Sequence, residues 1–425
     1  MIINSISGVL IFLSFLFTNI AYFFDDKILI FAAIFAWISF LLLFISLGKK
    51  KIIVLLLVLS ILNFLFSYIK GFDIDFTKAL IINQYLLTLL IGVTFLKLIA
   101  TPKFEKEAKK ESGKSSFFKT YFGVHLFGSV INLSSLILIA DKMYKKGPLT
   151  KLQLVVLTRA FSSDAYWSPF FVAFAAALTY LPGFHKPTIF FCGVILALIT
   201  LLITYLEVGK KFELEGFKGY PISLETLYIP VLLVIFILIT KYYEENLKVI
   251  ILVSIYSLLL TIFISIIKVN FTKTFSLLKE HITNDLPKMK MEISLFLVAG
   301  LFGVSISTIL NGYHLTVPFS EFTYMEASIT LFGFIFLAFI GIHPIITIAV
   351  IADFLLEFNH TLLAITFLMA WAITVSTSPF SGLNLTMQAR YNIEAKEIFT
   401  LNIFFAIKMY IVCATLLYLL DTFIV

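Results

Sequence analysis

Ser162-Ser163-Asp164-Ala165-Tyr166-Trp167-Ser168-Pro169 cuts one long apolar stretch of the chain, and Thr374-Val375-Ser376-Thr377-Ser378-Pro379-Phe380-Ser381-Gly382-Leu383-Asn384 cuts another. Proline has no N–H and its ring clashes with the preceding turn, so a helix is expected to open at Pro169 and again at Pro379. Opening frees backbone N–H and C=O groups. Where bulk water cannot reach them, neighbouring hydroxyls must satisfy them. A half-helix N-terminus carries about half a positive charge and suits an anion. Freed carbonyls and Asp164 suit Na⁺ or a proton. Gly382 permits close backbone approach.

The surroundings of the two breaks are those of a membrane protein. Sixty per cent of residues are hydrophobic and 13% are charged, with a mean hydropathy of +1.03; a soluble domain carries about 25% charged residues. Stretches long enough to cross about 30 Å of hydrocarbon are expected at 5–24, 28–47, 52–69, 79–100, 152–180, 188–208, 222–240, 249–267, 292–311, 361–387 and 398–420. Apolar stretches at 120–141 and 324–357 remain. No basic run precedes the first stretch and no small-x-small cleavage site follows it, so Ser5 to Phe24 is expected to stay as a membrane helix. Cys192 and Cys413 lie in apolar spans without metal-ligand spacing and are expected to be core residues, with no metal. Richness in Phe, Ile and Lys fits an AT-rich bacterial genome and, with it, a bacterial inner (plasma) membrane.

The charge distribution sets an expected topology. With the N-terminus in the cytoplasm, the inside loops hold 23 of the 32 Lys and Arg and the outside loops 6, a strong positive-inside bias. The net charge of +7 therefore reads as topology signals, not as a nucleic-acid face. This arrangement requires 120–141 to enter from the cytoplasm and return to it, because the loops at 101–119 and 142–151 are both basic. It is expected to be a re-entrant hairpin, and such elements persist only when buried in protein or lining a wet cavity.

A second hairpin is expected in 324–357. Gly128 leads through an apolar run to Asp141, and Gly341-Ile342-His343-Pro344 leads through another to Asp353. Hydroxyls stand near the middle of each, at Ser134, Ser135 and Thr347. Each hairpin is followed by one of the polar breaks, and the charge-derived topology sends the second in from the opposite side. Inverted repeats with discontinuous helices meeting at the midplane are a recurring design of secondary transporters. The expected fold is all-α and polytopic, with about 11 transmembrane helices and two re-entrant hairpins. Its expected parts are scaffold helices at 1–100, repeat 1 at 117–208, central scaffold helices at 209–311 and repeat 2 at 312–425.

Candidate substrate ligands are Ser162, Ser163, Thr374, Ser376, Thr377, Ser378 and Asn384 at the breaks, with Asn132 and His343 at the hairpin tips. Ser, Thr and Gly also line ordinary helix contacts, which is the competing role for each. Asp164, with Ser168 and Ser381, is the candidate for a coupling ion; a structural pair with Arg159 is the alternative. His343 either contacts substrate, relays protons or is a satisfied structural histidine. Asp141 and Asp353 are expected at helix ends or interfaces, Arg390 as a topology charge, and Glu321 and Glu326 as solvated.

The layout from about 117 to 390 resembles the ion transporter superfamily, which includes arsenite efflux permeases, NhaD-type sodium/proton antiporters and divalent anion/sodium symporters. Ser163-Asp164 to Pro169 is similar to the Asn-Asp…Pro first break of arsenite permeases, and Ser378-Pro379-Phe380-Ser381-Gly382 to their Ser-Pro-x-Gly-Ser second break. The resemblance implies the fold and mechanism class of a secondary transporter, commonly elevator-like and commonly a homodimer; the chemistry of the breaks adds the expectation of a small, anionic solute and of Na⁺ or H⁺ as the coupling ion. The symporters' Ser-Asn-Thr signatures are absent and no cysteine lies in either break, so no substrate is named. No Gly-rich run ends in Lys-Ser or Lys-Thr, so no nucleotide cofactor is expected, and the chain is expected not to be an enzyme. The alternative is a membrane enzyme or flippase acting on polyprenyl-linked sugars. The short outer loops, poor in Arg and His, disfavour the enzyme.

Overall fold

Long runs of Leu, Ile, Phe and Val satisfy their backbone within hydrocarbon most simply as helices. In the computed structural model the chain is helical, with no strand among the described residues. These are 2–48, 50–99, 112–220, 228–317 and 319–423. The basic run at 101–111, Lys49 and the first residues of the expected 222–240 span lie outside them.

The helices are α1 (Ile2–Phe23), α2 (Leu29–Phe44), α3 (Lys51–Lys70), α4 (Phe76–Ile81) and α5 (Gln84–Phe95). Next come α6 (Lys114–Ile131), α7 (Leu133–Tyr144), α8 (Lys151–Ser162), α9 (Val172–Tyr180) and α10 (Lys186–Lys211). Then follow α11 (Tyr228–Tyr243), α12 (Val249–Val269), α13 (Phe271–Glu280) and α14 (Lys290–Gly312). The last are α15 (Tyr324–Phe339), α16 (Pro344–Leu355), α17 (His360–Thr377), α18 (Gly382–Tyr391) and α19 (Ala395–Phe423). Among the described residues nine helical segments are long and apolar enough to cross a membrane. The protein is a polytopic helical membrane protein.

One expected feature comes out as read and another does not. The span at 152–180 opens ahead of Pro169, as expected, into α8, of 12 residues, and α9, of 9; at 1.5 Å per residue neither crosses about 30 Å. The stretch 268–290, which the expected spans 249–267 and 292–311 leave as a loop, is helical: α13 passes through a π turn (His281–Asp285) and a 3₁₀ turn (Leu286–Met289) into α14. Its charges suggest a solvated loop, but Thr274, Leu278 and His281 are buried, and that spacing is one face of a helix.

The chain divides into two units. One comprises Met1–Ala100, Val231–Pro318 and Ile345–Leu355; the other comprises Thr101–Pro230, Phe319–Pro344 and Leu356–Val425. Thus α16 falls in the first unit, while its neighbours α15 and α17 fall in the second. In the first unit α1 packs on α2, α5 on α12 and α3 on α14. Buried polar groups cross these contacts: Ser14 Oγ donates to Gln84 Oε1 (3.1 Å) and Asn83 Nδ2 to Phe296 O (2.6 Å). Asp353 accepts from Lys78 Nζ (2.9 Å) and Ser307 Oγ (2.8 Å), which gives this carboxylate a local structural role.

The second unit is organised on α17. Every residue from Leu362 to Thr374 is buried, as expected of a helix apolar all round. α15, α19, α8, α9 and the turn before α9 pack around it.

Candidate functional site

All the sequence-derived candidate residues lie in the second unit. α8 starts from a capping box: Gln153 N–H donates to Thr150 Oγ1 (3.2 Å) and Thr150 N–H to Gln153 Oε1 (3.0 Å). After Ser162 the helix tightens into a 3₁₀ turn, Ser163–Tyr166. Pro169 stops it, and α9 begins at Val172.

Asp164 in that turn is fully buried. Its Oδ1 lies 2.7 Å from His125 Nδ1 on α6. Neither oxygen has a hydrogen-bond partner, and Oδ2 rests against Gly128, where an added Cβ would come within 2.3 Å of it. Trp167 Nε1–H donates to His125 Nε2 (3.2 Å). His125 Nδ1 also lies 2.9 Å from Ser163 Oγ, which itself donates to Ala160 O (2.8 Å). An indole N–H can only donate, so Nε2 is the acceptor and the ring proton sits on Nδ1, whose hydrogen-bond partners are Ser163 Oγ (2.9 Å) and Ala160 O (3.2 Å).

The second break repeats the first atom by atom. Ser168 Oγ donates to Ser129 O at the end of α6 (2.5 Å) and accepts from Phe170 N–H (3.2 Å). Ser378 Oγ donates to Ala338 O at the end of α15 (2.6 Å) and accepts from Phe380 N–H (3.2 Å). The serine N–H bonds four residues back, to Asp164 O (3.0 Å) or Thr374 O (2.8 Å). The serine carbonyl accepts from Phe171 N–H or Ser381 N–H, each at 3.1 Å. α9 and α18 start at corresponding positions, Val172 and Gly382.

This geometry corrects the register of the repeat. Gly128 and Gly341 share a residue type, not a place. The residues at the turns are Asn132 (φ 52°) and Gly341 (φ 108°), each three beyond its serine-bound carbonyl. Positive φ is tolerated best by Gly and, among other residues, by Asn. Asn132 Nδ2 donates to Phe170 O (3.2 Å), tying its turn to the first break. Asp141 and Asp353 are not counterparts. Asp141 accepts a two-pronged pair from Arg390 (2.8 and 2.7 Å) and a bond from Tyr391 (2.8 Å).

A cavity of about 20 Å³ opens at the second break, lined by His343, Trp371, Thr374, Ser378, Ser381 and Gly382 among others. That is room for about one water. His343 stands edge-on to Trp371, ring centroids 5.2 Å apart. Ser381 Oγ donates to Val375 O (2.8 Å) and caps α18 through Asn384 N–H (3.1 Å). Asn384 Nδ2 donates to Ser378 O (2.8 Å), while its buried Oδ1 has no partner. Ser162, Thr374, Ser376 and Thr377 donate to carbonyls one turn back in their own helices, and of these four only Thr374 faces the cavity.

The expected alternative for Asp164, a pair with Arg159, is not formed. Buried Arg159 donates to Glu207 Oε2 (2.7 Å), Asn402 Oδ1 (2.8 Å) and Leu401 O (3.1 Å), and Lys408 bonds the other oxygen of Glu207. Asn402 Nδ2 reaches Thr158 Oγ1 (3.2 Å) and Ser376 O (3.1 Å), so one amide links α8, α17 and α19. A cavity of about 80 Å³ lies beside this cluster, lined by Arg159, Glu207 and Lys211. Glu326, expected to be solvated, is not buried and completes a capping box at the start of α15 with Thr323. His125, Glu207 and Asn402 were not among the sequence candidates. The signal that could have found them is a polar or ionisable residue inside an apolar stretch.

No protein-family model matches the chain, and no curated protein matches it.

Proposed function

We propose that the protein is a secondary transporter that moves a small, anionic solute, coupled to H⁺ or Na⁺, with the two breaks meeting the solute and the ion. The single observation that carries this is the duplicated break: two Ser-Pro-Phe turns, each clamped by its serine to the end of a preceding helix. Two interrupted helices in one packed unit place free helix ends and unpaired oxygens at depth, which a purely structural helix pair does not need. The solute end is the second break, where hydroxyls, His343 and the N-terminus of α18 surround a cavity. The ion end is the first break, where Asp164 is buried with neither oxygen hydrogen-bonded.

In the same proposal the 120–141 segment and the segment around Gly341 are re-entrant, the repeats are inverted, and the N-terminus is cytoplasmic in a bacterial inner membrane. Likeness to the ion transporter superfamily supports this picture through the residues of the two breaks. A polyprenyl-sugar flippase would need free buried cations, and the buried Arg159 is occupied by Glu207, Asn402 and a carbonyl.

The test is reconstitution in proteoliposomes. Carboxylates, oxyanions and amino acids are supplied under an imposed proton or sodium gradient. The expected result is gradient-driven accumulation of one anion class, with Asp164→Asn transporting independently of both gradients. Coupling that survives Asp164→Asn intact would sink the ion assignment. Flux of none of these solutes, together with binding of a polyprenyl-linked sugar, would sink transport of a small anion.

A further inference from the structure

Resting on the transport proposal, we infer that the coupling ion is a proton, held on Asp164 Oδ2, and that Trp167 keeps it there by fixing the tautomer of His125. The chain of atoms is short. Trp167 donates to Nε2 of His125, which leaves Nδ1 as the ring donor, 2.7 Å from Asp164 Oδ1. Protonating Nε2 as well would set two N–H groups against each other. The pair is therefore kept out of its imidazolium–carboxylate form. An ionised Asp164 would then be a buried charge facing a neutral ring, and buried charges are costly unless paired.

The neighbouring groups do not supply the missing positive charge. On α6, Tyr121 stacks near His125 with ring centroids 6.5 Å apart. On α8, Arg159 is taken by Glu207 of α10, and Glu207 is shared with Lys408 of α19. α9 and α17, which also pack on the Ser163–Tyr166 turn, carry no Asp, Glu, Lys or Arg.

A cation at Oδ2 would neutralise the site, and the shape favours the smallest. The oxygen abuts Gly128, and Phe161 Cδ2 lies 3.0 Å from the point where a Gly128 Cβ would stand, with Ser135 Oγ at 3.3 Å. Sodium needs a cage of several oxygens. A proton needs one oxygen: the O–H bond forms on Oδ2, with the proton taken from water on one side of the membrane and returned to water on the other. His125, whose side chain is 11% exposed against 0% for Asp164, stands on the more accessible side of the pair.

The experiment is infrared spectroscopy of the purified full chain in lipid nanodiscs without solute. Carboxyl-labelled aspartate separates Asp from Glu bands. A protonated-carboxyl band is expected at neutral pH, lost in Asp164→Asn and unchanged when K⁺ is replaced by Na⁺. Trp167→Phe frees Nε2 to take a proton, so the band should weaken as an imidazolium–carboxylate pair becomes allowed. A purely structural tryptophan would not move it. The proton assignment is overturned by a wild-type sample without the band, by a band that Na⁺ but not K⁺ removes, or by one that persists in Asp164→Asn. A band at full strength in Trp167→Phe overturns the tautomer lock. Because no solute is present, the outcomes separate: a band without solute flux in proteoliposomes refutes transport only, and sodium-driven flux without a band refutes the proton only.

Discussion

Removing the two clamp serines should have unequal costs, although the clamps look alike. Ser168→Ala deletes a donor to Ser129 O and an acceptor for Phe170 N–H. Phe170 is 3% exposed, so no solvent replaces the lost partner. Each buried group left unpaired costs about 1–3 kcal/mol, and two at about 1.5 kcal/mol give a loss of about 3 kcal/mol. Ser378→Ala deletes the same two bonds, but Ala338 O keeps a bond from Gly341 N–H (3.3 Å) and Phe380 is 52% exposed. Its expected loss is about 1 kcal/mol. The assay is equilibrium unfolding in mixed micelles, followed by tryptophan fluorescence in a Trp37→Phe background. The remaining two tryptophans, Trp167 and Trp371, both lie in the second unit. A Ser378→Ala loss equal to or above that of Ser168→Ala would refute the reasoning from orphaned groups. So would a Ser168→Ala loss below about 0.5 kcal/mol.

Two further outcomes follow from the same contacts. Arg159→Met should cost about 3–5 kcal/mol because it strips a buried partner from Glu207, whereas Arg390→Gln should cost at most about 1 kcal/mol and lose even that in high salt, since its side chain is 50% exposed; thermal unfolding at two ionic strengths reads both, and equal losses would refute the ordering. Gly193→Ala places a Cβ within 2.3 Å of Tyr166 O and 2.7 Å of Trp167 Cβ and should cost about 1–3 kcal/mol, while Gly333→Ala meets nothing within 4 Å and should cost nothing, by the same measurement.

The helices and the breaks were legible because each follows from a local rule. Apolar runs of about 20 residues have few other options in hydrocarbon, and Pro169 and Pro379 each forbid a continuous helix. The partners of the charges were not legible. His125 meets Asp164 from another helix, and Arg159 chooses Glu207 and Asn402 over a carboxylate five residues away in sequence. A spacing of five puts two side chains on different faces of a helix turning every 3.6 residues, so sequence proximity was a poor guide. Helix 268–290 was missed for a related reason: its lysines hid a buried face of small period.

The repeat itself was legible in composition but not in register. Matching Gly128 with Gly341 pairs like residues, whereas the fold repeats a backbone demand. A turn needing positive φ is met by Asn132 in one half and Gly341 in the other, and what recurs in sequence is Ser-Pro-Phe. That corrected register places Asp164 opposite Thr374, each four residues before its serine and each accepting the serine N–H. Where one half buries a carboxyl whose oxygens accept no hydrogen bond, the other has a hydroxyl that donates to Ala370 O (2.8 Å) in its own helix. The scaffold is duplicated but the ionisable group is not. A proposed ion step at Asp164 is thus confined to the first break, and the hydroxyl-lined cavity beside Thr374 is left for the solute.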